Sequence, residues 1–247
     1  MPNVLKALHI YKTYQSGLFF KKTHPVLEDI SLELEEGKTF GLMGRSGSGK
    51  TTIGKILAGL EMPSSGKVLF NENDILGLSK IEFSLFRRKV QMVFQDTEGS
   101  LNPRKCIERS LQEVLDLIKV PRRNWRNKIQ ETLEDVDLSD ELLCRYPAQL
   151  SGGQNQRIAL GRVLMLEPKV LILDEPTSAL DTSVQAQILG LLKELQKERG
   201  MAYLLISHQA EVIRFMAHHI GVLTEGQLER CISDSLIESS IAPSICR

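Results

Sequence analysis

The segment Gly44-Arg45-Ser46-Gly47-Ser48-Gly49-Lys50-Thr51 constrains this chain more than any other, because it fits G-x-x-x-x-G-K-[ST] between a strand-like and a helix-like run. Glycines let backbone N–H groups converge on phosphate oxygens, and the N-terminus of the following helix adds partial positive charge. In that setting Lys50 supplies a point charge for β and γ phosphates, and the Thr51 hydroxyl is suited to ligate Mg²⁺. The preceding run, Lys38 to Met43, predicts a buried strand. Ile53, Ile56, Leu57 and Leu60, spaced i, i+3, i+4, i+7, predict one face of a helix.

A second apolar run, Val170-Leu171-Ile172-Leu173, has the continuous character of a strand buried on both faces of a parallel sheet, and it ends on Asp174-Glu175. One carboxylate there can join the Mg²⁺ shell while the other orients or deprotonates an attacking water. Taken alone, such a pair is more often a helix cap or a solvated strand end. The P-loop earlier in the chain favours the chemical reading.

The rest of the chain reads as an α/β protein with insertions. Ile30-Ser31-Leu32-Glu33-Leu34 alternates apolar with polar as a half-buried antiparallel strand does, and Tyr203 to Ile206 predicts another short strand. Val184, Ile188, Leu191, Leu192 and Leu195 mark a helix. From about Glu82 to Leu150 the text is charged and helix-like, with Leu111, Val114, Leu115 and Ile118 at helical spacing and Asn124 to Val136 in the same style. This organisation predicts one domain over 1–247: core and antiparallel β regions over about 1–85 and 155–230, a helical subdomain over about 86–154 and a short tail over 231–247.

Composition narrows the function classes. The 31 basic and 31 acidic residues cancel, which argues against a nucleic-acid partner. The longest apolar runs fall far short of the roughly 18 residues a membrane helix needs, and the amino terminus has no apolar export stretch, so a cytoplasmic location is expected. Cys106, Cys144, Cys231 and Cys246 are scattered, with neither C-x-x-C nor zinc spacing, and read as reduced thiols.

Leu150-Ser151-Gly152-Gly153-Gln154 resembles the signature of ABC ATPases at every position, and the lesser motifs of that family follow in order. Tyr14 resembles the aromatic residue that stacks on adenine; Gln95 resembles the Q-loop glutamine; Ser178-Ala179-Leu180-Asp181 resembles the D-loop; and His208 resembles the switch histidine. The resemblance implies a P-loop cassette with a mainly parallel core sheet, an antiparallel β subdomain and an inserted helical subdomain. ATP would contact Tyr14, Gly44, Arg45, Ser46, Gly47, Ser48, Gly49, Lys50, Thr51 and Thr52, and Mg²⁺ would contact Thr51, Gln95 and Asp174. Glu175 would act as general base, assisted by Lys50, Gln95 and His208, while two cassettes pair head to tail so that each signature caps its partner's ATP. Two departures stand out: Gln209 follows the switch histidine where many relatives have Asp, which could weaken the hold on that loop, and Gly161 replaces a more usual Ala.

Within that family, Ser16 to Lys22, Gly44 to Gly47, Gln91 to Asp96 and Ser100 to Lys105 resemble the oligopeptide, dipeptide and nickel importer ATPases. Asn102-Pro103-Arg104-Lys105 and the extent of the carboxy-terminal region favour nickel or a related chelated metal over peptides. The resemblance implies two membrane permeases, a second ATPase subunit (a heterodimer before a homodimer), an extracytoplasmic binding protein, and a peripheral place on the cytoplasmic face of the membrane. Phe94 and Leu101, near the stretch Gln95 to Lys105, are expected to suit the docking of a permease helix. A DNA-associated ABC ATPase fits poorly, because coiled coils normally separate its motifs and a basic stripe is expected. A regulatory cassette without catalysis would show losses at Lys50, Asp174, Glu175 or the signature, and none is present.

Overall fold

The continuous apolar runs become the centre of a sheet. In the computed structural model, which describes residues 3–16, 22–94, 99, 101–178 and 180–231, Thr39–Met43 (β3), Val170–Asp174 (β7) and Ala202–Ile206 (β8) are buried at every position. They belong to a six-stranded sheet with His219–Thr224 (β9), Gln227–Cys231 (β10) and Val90–Val93 (β6), in the order β10-β9-β3-β8-β7-β6. β3, β7, β8 and β9 run parallel, and the edge hairpin of β9 with β10 is antiparallel. Strands inside such a sheet have no solvated face, which is why their sequences do not alternate.

The alternating run has the opposite fate. Asn3–Ser16 (β1) and Lys22–Glu35 (β2) pair antiparallel, and Ser65–Phe70 (β4) and Asn73–Asp74 (β5) complete a four-stranded sheet in the order β2-β1-β4-β5. Ile30, Leu32 and Leu34 face the core while Glu33 is exposed. Register shifts between Ala7 and Ile10 accompany positive φ angles at His9 and Asp29, the local irregularity expected of bulges.

Lys50–Leu57 (α1) buries Ile53, Ile56 and Leu57 but ends before Leu60, which is 42% exposed. Gly59 has φ of 63°, its N–H donates to the Ile56 carbonyl, and the Leu60 N–H donates to that of Lys55. This paired closure satisfies the last carbonyls of α1 and turns Leu60 off the apolar face that the periodicity assigned to it. Lys80–Lys89 (α2) begins with a reciprocal Ser79–Glu82 cap. It buries Phe86 in the same core as the sheets, so this part of the charged, helix-like stretch belongs with the α/β unit. Ala210–Met216 (α7) follows β8 in the same unit.

A second compact unit comprises described residues of 93–168 and 176–198. It contains Ile107–Leu117 (α3), Trp125–Asp135 (α4), Gly152–Leu164 (α5) and most of Thr182–Arg199 (α6). Its core includes Leu101, Ile107, Leu111, Leu115, Ile129, Leu133 and Ile158. Leu101 is only 2% exposed, so it fills this core and does not offer an apolar surface for docking; Phe94, at 43%, is accessible. Gly161 has a local reason: a Cβ there would lie 3.0 Å from the Thr132 methyl carbon on α4. Cys106 and Cys144 are free thiols. Among the described residues, no helix is long and apolar enough to cross a membrane.

Candidate functional site

The P-loop joins β3 to α1, and its backbone demands glycine. Gly44 has φ of 149°, and a Cβ there would lie 2.3 Å from the Leu223 carbonyl oxygen. Gly49 caps α1 at φ of 105°, where a Cβ would press within 2.8 Å of Leu27. No side chain caps this helix end, so its first backbone N–H groups are not claimed by a capping side chain. The Ser48 hydroxyl oxygen is buried with no hydrogen-bond partner among the described residues. A phosphate oxygen would satisfy such donors, while Arg45, Ser46 and Gly47 lie exposed at the loop.

Lys50 reaches back across the loop and donates to the carbonyls of Gly44 and Arg45, each at 2.7 Å. Burial pulls its ammonium below the usual pKa against the opposing attraction of Glu175 and Asp174. Burial likewise pushes the Asp174 carboxyl up, while a hydrogen bond with the Thr51 hydroxyl opposes that rise. The two side chains expected to share a divalent cation therefore already meet. A hydroxyl and a carboxylate beside a phosphate cradle form the oxygen donor set that Mg²⁺ prefers.

These shifts give a testable sign. A carboxyl whose folded pKa is raised loses stability on ionising, as pH climbs from its unfolded value of about 3.9 through the folded one. Without nucleotide, Asp174→Asn should therefore melt above the parent at about pH 8, with the gap closing as pH falls towards 4. Thermal melts at both pH values check this. A variant that melts lower at the higher pH would mean that attraction to Lys50 outweighs the cost of burial.

Glu175 follows β7 at φ of 50°, and its N–H bonds the Ile206 carbonyl at 3.0 Å. Its Oε1 accepts the His208 backbone N–H at 3.0 Å and lies 2.7 Å from His208 Nδ1. The end of β8 thus brings His208 to the second carboxylate. Beyond it, the Ser207 hydroxyl accepts the Gln209 N–H at 3.1 Å, a main-chain bond that any residue but proline at 209 can donate.

Tyr14, on β1, is half exposed, and its phenol lies beside Glu61 and Thr52 of α1. Glu61 and Lys12, which belong to this cluster, were not anticipated from the motifs. The one available signal was the K-x-Y spacing, which puts Lys12 and Tyr14 on the same side of a strand. Gln95 and Ala179 lie outside the described residues.

The signature segment opens α5 in the second unit. Ser151 and Gln154 cap each other: the Ser151 hydroxyl oxygen accepts the Gln154 N–H at 3.2 Å, and Gln154 Oε1 accepts the Ser151 N–H at 3.0 Å. The Ser151 hydroxyl proton is not used in this cap, so it can be donated outward. Ser151 and Gly152 are exposed, whereas Leu150 packs against the core of the unit. A Cβ on Gly153 would lie 2.5 Å from Val184 Cγ1, and one on Gly152 would touch Leu180 at 3.5 Å. In the D-loop segment, the Leu180 N–H bonds the Thr177 carbonyl, and Asp181 Oδ1 accepts the Val184 N–H at 3.0 Å as α6 begins. Ser178 is partly buried.

A glycine-rich cradle with a buried lysine, set beside strand-end carboxylates on a parallel sheet, defines a P-loop nucleotide-binding protein. The ABC transporter family model matches residues 27–178. Over 242 residues the chain is 40% identical to the oligopeptide transport ATP-binding protein OppF of Bacillus subtilis strain 168, covering 96% of this chain and 79% of that protein. It is also 40% identical to the nickel import ATP-binding protein NikE of Brucella suis biovar 1, covering 98% and 92%. The dimeric ATP-binding cassette MJ0796 in a post-hydrolysis state bound to ADP and Pi superposes with a TM-score of 0.78 at 31% identity, over 92% of this chain and 98% of that one. The cbiO1 structure from Clostridium perfringens gives 0.85 at 27%, over 98% and 93%. The chain belongs to the ABC transporter family, in the group of oligopeptide, dipeptide and nickel importer ATPases, and it is an ATP-binding, ATP-hydrolysing importer subunit.

Proposed function

We propose that this subunit energises import of nickel or a related chelated metal, pairing head to tail with a second ATPase beneath two membrane permeases that receive cargo from an extracytoplasmic binding protein. The observation that carries the engine is the convergence of Lys50, the Thr51–Asp174 pair and the Glu175–His208 pair at the ends of β3, β7 and β8. Mg²⁺, held by Thr51 and Asp174 with Gln95, would neutralise charge on the β and γ phosphates. Lys50 binds those phosphates, Tyr14 stacks on adenine, and Glu175 takes the proton of the attacking water while His208 positions the γ-phosphate. Ser151 and the backbone at Gly153 cap the partner's nucleotide, and Ser178 to Asp181 lie at the same interface. Loss of the γ-phosphate contacts then reopens the pair. The subunit acts at the cytoplasmic face of the membrane.

The nickel reading rests on the resemblance of Asn102-Pro103-Arg104-Lys105 to the nickel branch; the segment itself forms a tight turn, in which Asn102 Oδ1 accepts the Arg104 N–H at 3.0 Å and the Asn102 carbonyl accepts the Lys105 N–H at 3.1 Å. Peptide import is the second reading, favoured by the relatives named OppF and DppF. Reconstituted with its permeases and second ATPase, the complex should hydrolyse ATP faster when its binding protein carries a nickel chelate. Stimulation by short peptides alone would replace the cargo and keep the engine.

A further inference from the structure

Tyr14 sits between Lys12 on its own strand and α1. Its phenol lies near Thr52, in the first turn of α1, and near Glu61, just beyond the glycine turn that closes the helix. Lys12, two residues earlier on β1, places its ammonium 5.0 Å from the Tyr14 ring centroid. That ammonium also lies 2.8 Å from Glu61 Oε1 and donates to the Met62 carbonyl at 2.7 Å. The Lys12 side chain is only 14% exposed, so it is fixed and not a solvated surface cation. Burial pushes the Glu61 carboxyl up, but Lys12 and Tyr14 beside it, with the further charge of Lys55, together hold it below the usual value.

A cation over one ring face leaves the opposite face for a stacked base, and Tyr14 as a residue is 41% exposed. The Lys12 ammonium is itself held by Glu61 Oε1 and the Met62 carbonyl, beyond the end of α1, so the cation keeps a fixed place against that ring relative to the helix that follows the phosphate cradle. The Lys12 charge is matched by Glu61, which sets it apart from a phosphate-binding lysine such as Lys50.

We propose that Lys12 and Glu61 are positioning residues for the nucleotide base: they lock the Tyr14 ring so that its free face meets the purine at a fixed distance from the P-loop. This deepens the reading of Tyr14 as the adenine contact and rests on it.

Titration calorimetry of the full chain with ATP and with inorganic tripolyphosphate, which lacks a base, separates the two. Lys12→Met should weaken ATP binding about fivefold, with tripolyphosphate unchanged and Lys12→Arg restoring affinity to within about twofold. Tyr14→Leu should weaken ATP about tenfold and again spare tripolyphosphate. Unchanged tripolyphosphate binding also reports an intact fold. If Tyr14→Leu weakens ATP but Lys12→Met does not, the positioning role fails and the adenine contact stands. If Tyr14→Leu changes nothing, the adenine contact itself is wrong. An equal loss for both ligands in Lys12→Met would make Lys12 a phosphate or folding residue and overturn the proposal.

Discussion

Glu175→Gln should bind ATP as the parent does yet lose hydrolysis by about 10²- to 10⁴-fold, the range expected when a general base is removed. The substitution is nearly isosteric. A glutamine Oε1 can still accept the His208 N–H that Glu175 accepts at 3.0 Å, and the backbone bond to Ile206 is untouched. What disappears is the ability to take a proton. Because hydrolysis is the step that releases the γ-phosphate contacts, the variant should also accumulate the ATP-bound pair, which size-exclusion chromatography with ATP would reveal. Phosphate release from the assembled complex measures the loss. A rate within tenfold of the parent would remove Glu175 from the chemistry and leave its contact with His208 as a loop fastening.

The features of this site that could be read in the sequence are those whose cause is local. The P-loop is legible because its positive φ angles demand glycine within eight residues, even though Leu223 and Leu27 crowd Gly44 and Gly49 from elsewhere in the chain, and β7 is legible because a strand with no solvated face must be apolar throughout. The Thr51–Asp174 pair followed from knowing where a P-loop and a strand-end carboxylate must meet. Features set by distant parts of the chain were less legible. Leu60 continued the helical period, but the left-handed Gly59 removed it from that face. Leu101 was apolar and near a loop, and nothing in its neighbours revealed that α3, α4 and α5 would enclose it. Lys12 and Glu61 meet only because β1 runs past the closing turn of α1, an adjacency that neither local segment encodes.

Gly153→Ala is the harsher test of the signature, because its defect should arise from packing and be reversible at a second position. The added Cβ would sit 2.5 Å from Val184 Cγ1, inside the distance at which something must shift, and α5 carries Ser151 at its cap. A displacement of about 1 Å in a positioning group can cost on the order of 100-fold in rate. Hydrolysis by the complex should fall accordingly, with ATP affinity at the P-loop retained, since Gly44 to Thr51 belong to the other compact unit. Val184→Ala removes the clashing methyl and leaves only the Cβ at 3.8 Å, an ordinary contact. The double variant should therefore regain most of the lost activity, and Val184→Ala alone should remain active. Hydrolysis assays on the two single variants and the double variant, with melting curves to confirm folding, decide the matter. If the folded double variant stays inactive, Val184 is not what demands a glycine at 153, and the requirement lies with the nucleotide that the signature caps.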